Sequence, residues 1–117
     1  MSDKFTIYHN PRCRKSREAL ALLQENNIEP EVVRYLDTPL SSEELRLIVA
    51  KLDVPVKAIV RTEEKVYKEK YKSADFNDGE WLQILSEETK LIQRPIVLKG
   101  ASGVVGRPPE NVLKLIK

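Results

Sequence analysis

The chain carries one cysteine and one histidine in 117 residues. A single thiol excludes an internal disulfide, and with it a disulfide-stapled secreted domain. A four-thiolate zinc site is excluded too, and a lone Cys/His pair would need carboxylates to complete it, so no metal is expected. Four glycines and seven prolines are too few for a low-complexity or disordered chain. No apolar run approaches the roughly 18 residues of a membrane span, and Met1-Ser2-Asp3-Lys4 lacks the hydrophobic stretch of a signal peptide. The expectation is a cytoplasmic protein with no membrane partner. No charge of one sign dominates, because 20 Lys and Arg face 18 Asp and Glu. A net charge of +2 does not demand nucleic acid as a partner. The length suits one domain, residues 1–117.

What is present falls into three stretches. Lys4-Phe5-Thr6-Ile7-Tyr8 alternates apolar and polar residues and reads as a strand, broken at His9-Asn10-Pro11. A helix follows with Ala19, Leu20, Leu22 and Leu23 on one face, ended by Asn26-Asn27. Glu31 to Leu36 reads as a second strand, and a right-handed crossover makes the two strands parallel. In the middle, Ser41 with Glu44 matches a capping box. Leu45, Ile48, Val49 and Leu52 then form one stripe. Val56 to Val60 reads as a short apolar helix or turn, Thr62 to Lys72 as a solvated charged segment, and Asn77 with Glu80 as another cap before Trp81, Ile84 and Leu85. At the end, Pro95 to Leu98 is a buried strand, 99–103 a turn and Val104-Val105 the returning strand of a hairpin. Pro108-Pro109 opens a last helix with Val112, Leu113 and Ile116 as its apolar face. The order β-α-β, helices, β-β-α is an α/β, thioredoxin-like layout. It has a mixed sheet, helices on both faces and a helical insertion at about residues 38–90.

Cys13 lies between the first strand and the first helix. Free backbone N–H groups and the positive end of the helix dipole gather there. Arg12, Arg14, Lys15 and Arg17 add cations within five positions. Both features favour a thiolate over a thiol. Ser16 completes a Cys-x-x-Ser spacing from which its hydroxyl can donate to that thiolate. A lone cysteine is commonly a small buried hydrophobe, but flanking cations speak against that role here. His9 reads either as a strand-end residue bonded to its own backbone or as a neighbour that biases the loop and the thiolate.

A thiolate repels an anionic substrate unless cations neutralise it, and arginine does so through a fork of N–H donors. Arg94-Pro95 and Arg107-Pro108 each place a guanidinium before a residue of fixed φ, which biases the arginine backbone to extended conformations. Arg61 ends the apolar stretch Ala58-Ile59-Val60. Singly, each arginine reads equally as a surface charge.

The run Ile7-Tyr8-His9-Asn10-Pro11-Arg12-Cys13-x-x-Ser16-Arg17 resembles the active-site loop of glutaredoxin-coupled arsenate reductases. The resemblance continues at Tyr35-Leu36-Asp37-Thr38-Pro39, Arg61, Arg94-Pro95-Ile96-Val97 and Gly106-Arg107-Pro108-Pro109, so it spans the chain in order. It is strongest to the short bacterial chromosomal members. The resemblance implies Cys13 as nucleophile toward arsenate and Arg61, Arg94 and Arg107 as the arginines that bind it. It implies Asn10 and Ser16 as loop residues cradling the thiolate, His9 as the histidine linked to its stabilisation, and Pro95 as the cis-proline facing the loop. Arg14 departs from the family, where many relatives have a small residue after the cysteine.

With no second cysteine, glutathione is the expected co-substrate and glutaredoxin the expected reductant of the mixed disulfide. No bound cofactor is expected. Two other readings share the fold: a Spx-type redox or transcription regulator binding RNA polymerase, and a glutathione-dependent thiol reductase with another substrate. Ser16 at the position of a second switch cysteine, together with the three arginines, favours the arsenate reductase.

Overall fold

A computed structural model describes residues 4–116. The reading of Met1–Asp3 as lacking an export signal lies outside the described residues. The described residues form two compact units, one made of residues 4–38 and 94–116, the other of 39–93. No helix among the described residues is long and apolar enough to cross a membrane.

The first unit is built on a four-stranded mixed sheet. Strands β1 (Phe5–Tyr8), β2 (Glu31–Val33), β3 (Ile96–Lys99) and β4 (Ser102–Val105) lie in the order β2-β1-β3-β4. Helix α1 (Arg14–Glu25) connects β1 to β2, and these two strands are parallel, as a crossover requires. The β1–β3 and β3–β4 pairs are antiparallel. Period-two alternation decides what faces inward. Ile7 pairs with Val97, and both are fully buried against Ala19 and Leu23 of α1 and against Val112 and Leu115 near the C-terminus. The fold class is therefore α/β and thioredoxin-like, as the element order predicts.

Three boundaries differ from the sequence reading. The hairpin turn expected over 99–103 is only Gly100 and Ala101, because Lys99 pairs with Ser102 and Leu98 with Gly103, so β4 starts at Ser102. Strand β2 stops at Val33 instead of Leu36. The Arg34 carbonyl accepts the N–H groups of Asp37 and Thr38 at 2.9 and 3.0 Å, and this turn takes the acceptor a longer ladder would use. The last helix is a 3₁₀ segment, Pro109–Leu115. Three residues per turn put Pro109, Val112 and Leu115 on the buried face, and Leu113, expected inside, is 38% exposed.

The second unit holds α2 (Ser42–Leu52) and α3 (Asp78–Glu87). Both start with complete capping boxes, Ser41 with Glu44 and Asn77 with Glu80. Leu45, Ile48, Val49 and Leu52 are buried, the stripe their spacing predicts. A 3₁₀ turn at Val56–Ile59 follows Pro55. The Thr62–Lys72 run, expected to be solvated, contains a turn at Tyr67–Tyr71 closed by an i→i+5 bond, Lys72 N–H to Tyr67 C=O at 2.9 Å. Tyr67 is buried and stacks on Trp81, with ring centroids 6.2 Å apart. Tyr71 and Phe76 pack on the same indole. Aromatic rings bury large areas, so two tyrosines anchor a segment whose other residues are mostly charged. The segment returns through an antiparallel bridge between Val60 and Ile92.

Candidate active site

The site grows from the loop that follows the central strand β1. Ligands of open α/β sheets bind at the carboxyl ends of strands, and Cys13 stands at that end of β1. His9 leaves the strand with its N–H on the Val33 carbonyl at 2.8 Å. The Asn10 carbonyl accepts the Cys13 N–H at 2.9 Å, while Asn10 Oδ1 accepts the Arg12 N–H at 3.0 Å. Arg17 Nη1 donates to the Pro11 carbonyl at 3.0 Å and closes the loop from α1.

Cys13 is the N-cap of α1, with extended backbone at φ −92° and ψ 122°, and its side chain makes no capping bond. No acidic residue occupies the first turn of α1, so nothing offsets the positive helix end beside the sulfur. The thiol is partly accessible.

Ser16 is fully buried. Its Oγ lies 2.6 Å from His9 Nδ1 and accepts the Asn10 N–H at 3.1 Å. The expected bond from Ser16 to the cysteine sulfur is absent, because the hydroxyl is committed to His9 and the Asn10 amide. Ser16 and His9 are therefore tied to each other and to the loop backbone at Asn10, with neither bonded to the Cys13 sulfur. Burial first, then the Arg34 and Arg17 cations, hold His9 below its ordinary pKa near 6.5. The ring is neutral at pH 7.

The arginines arrive from the hairpin side of the unit. The Arg94-Pro95 and Arg107-Pro108 peptide bonds are both cis. Arg107 Nη1 reaches the Cys13 sulfur at 3.9 Å and donates to the Arg94 carbonyl at 3.3 Å. Arg94 Nε is buried and has no hydrogen-bond acceptor among the described residues. The first unit thus brings together His9, Asn10, Cys13, Ser16, Arg94, Pro95 and Arg107. Arg61 belongs to the second unit. It is 8% exposed, donates from Nε to Glu63 at 2.9 Å, and sits 3.5 Å from Glu64 through Nη1.

Two residues outside the expected set hold the Arg107 segment in place. Asn111 donates from Nδ2 to the Val105 and Arg107 carbonyls at 3.0 and 3.3 Å and so fixes the Arg107 backbone. Gly106 is buried with its N–H on the Pro95 carbonyl at 2.8 Å, and a Cβ there would stand 2.8 Å from Pro95 Cγ. A glycine directly before an Arg-Pro pair was the only available hint.

Fold and loop together define a thioredoxin-like protein with a single accessible thiol at the start of its first helix and a guanidinium against it. The ArsC family model matches residues 8–115. An uncharacterized protein of Escherichia coli K12, YfgD, is 41% identical over 99% of both chains. An arsenate reductase of Haemophilus influenzae is 42% identical over 94% of this chain and 97% of its own. Among solved structures, an arsenate reductase from Vibrio cholerae superposes with a TM-score of 0.92 at 41% identity, covering 97% of this chain and 98% of that one. The chain belongs to the ArsC family.

Proposed function

We propose that this protein reduces arsenate to arsenite with Cys13 as nucleophile. The contact between Arg107 and the Cys13 sulfur carries this reading. It puts a permanent cation where a thiolate and an oxyanion meet, and relatives of similar length are named arsenate reductases. The buried, unpaired Arg94 Nε supports it, because a buried donor without a protein acceptor favours an external one.

In the proposed reaction the Cys13 thiolate attacks arsenic and one arsenate oxygen leaves as water, forming a sulfur–arsenic bond. Arg94 and Arg107 hold the remaining oxygens. Glutathione thiolate then attacks the Cys13 sulfur. The sulfur–arsenic bond breaks with its electron pair on arsenic, which departs as arsenite. A Cys13–glutathione disulfide remains, and a glutaredoxin thiol attacks its glutathione sulfur to free Cys13. The reaction consumes reducing thiols and belongs in the cytoplasm.

The test is glutathione- and glutaredoxin-dependent arsenate turnover. Wild-type protein is expected to release arsenite and Cys13→Ser none, with unchanged circular dichroism. Full activity in the serine variant would remove Cys13 from the mechanism.

A further inference from the structure

A second concave site shares the Cys13 loop. His9, Asn10, Arg12, Arg34, Leu36 and Asp37 line a cavity of about 210 Å³ within the first unit. That is below the roughly 300–1,000 Å³ of pockets that enclose a whole small molecule, so it suits one end of a longer ligand. Its charges are mixed. Arg34 Nε lies 3.2 Å from an Asp37 carboxylate oxygen, in a pair whose side chains are more than half exposed. Arg12 has no carboxylate partner among the described residues, and His9 adds a neutral ring. A dianion such as arsenate would meet the Asp37 carboxylate. A zwitterionic amino-acid head meets complementary charge: its carboxylate faces Arg12 and Arg34, and its ammonium faces Asp37. An exposed ion pair is weak, so exchanging the Arg34–Asp37 contact for two ligand contacts costs little.

We infer that this cavity binds the γ-glutamyl head of glutathione and so orients the thiol toward Cys13. The inference rests on the proposed glutathione-dependent reaction. Reach permits it: Arg12 in the cavity wall directly precedes Cys13, with Cα atoms about 3.8 Å apart, and an extended tripeptide spans roughly 10 Å.

The test titrates S-methylglutathione, which cannot react, into wild-type and Asp37→Asn protein while amide NMR shifts are followed. Residues 9–12 and 34–37 are expected to move. Asp37→Asn is expected to weaken binding about three- to fivefold, the worth of one accessible ion pair. S-methylcysteinylglycine, which lacks the γ-glutamyl head, is expected to bind both proteins equally. Arg12→Gln, altering an exposed side chain, is expected to weaken the tripeptide alone in the same way. Shifts confined to other residues, equal tripeptide affinity for both proteins, or free glutamate binding as tightly as the tripeptide would each overturn the assignment. Binding as expected without glutathione-supported turnover would keep the subsite and remove the proposed reaction. Turnover without Asp37-dependent binding would do the reverse.

Discussion

A Cβ built on Gly106 falls 2.8 Å from Pro95 Cγ and 3.5 Å from Ala19 Cβ. Neither neighbour is the free end of a flexible side chain, so the strain of an added methyl passes into the Pro95 and α1 backbones. Gly106→Ala is expected to cost about 1–3 kcal/mol, the usual range for overpacking, seen as a lower urea midpoint. Turnover should fall with it, because Arg107 is the next residue. His9 gives a prediction in pH. Its pKa is lowered in the fold, so the unfolded chain binds its proton first on acidification and stability rises with pH through that window. The contribution is complete above about pH 6.5, the unfolded value, and is lost as pH falls from there toward the folded value. His9 is the only histidine, so it dominates titration just below that point. Urea unfolding between pH 7 and 5.5 should show falling stability in the wild type and a flatter profile in His9→Gln.

At the scale of elements, the three helices start differently. Two have reciprocal caps, and α1 has a cysteine whose side chain caps nothing. Asn77→Ala removes the bond from Glu80 N–H at 2.8 Å and is expected to destabilise by about 1 kcal/mol. At α1 the same reasoning runs the other way. Serine is a preferred N-cap and the Cys13 backbone already has the extended geometry a cap needs. Cys13→Ser is therefore expected to raise stability by about 0.5–1 kcal/mol in thermal or urea unfolding while abolishing reduction. If Cys13 is the proposed nucleophile, a helix start that forgoes its side-chain cap there trades stability for chemistry. A serine variant less stable than wild type would show that packing of the sulfur outweighs the missing cap.

For the whole molecule the decisive count is one thiol. Once Cys13 is engaged, no second cysteine in the chain can release it. Incubation with arsenate and glutathione, without glutaredoxin, is expected to leave the intact protein heavier by one glutathionyl group in mass spectrometry, and added glutaredoxin is expected to remove it. Unmodified protein sustaining turnover on glutathione alone would reject the proposed order of steps.

What the chain determined by itself was local. Alternation over Phe5–Tyr8, the Ser41 and Asn77 caps, the α2 stripe and the place of Cys13 before α1 all depend on neighbours within about four residues, where spacing maps directly onto geometry. Two misread segments are local as well: Leu113 points outward because a 3₁₀ turn replaced an α-turn, and the Tyr67–Tyr71 turn is held by rings that pattern counts as scattered apolar residues. Only tertiary structure decided which side chains meet at the thiol. Cys13 and Arg107 are 94 positions apart, and sheet pairing and the approach of Gly106 to Pro95 bring them together. Ser16 shows the same division: its spacing from Cys13 is visible in the sequence, but its hydroxyl bonds His9 because burial leaves it no better partner.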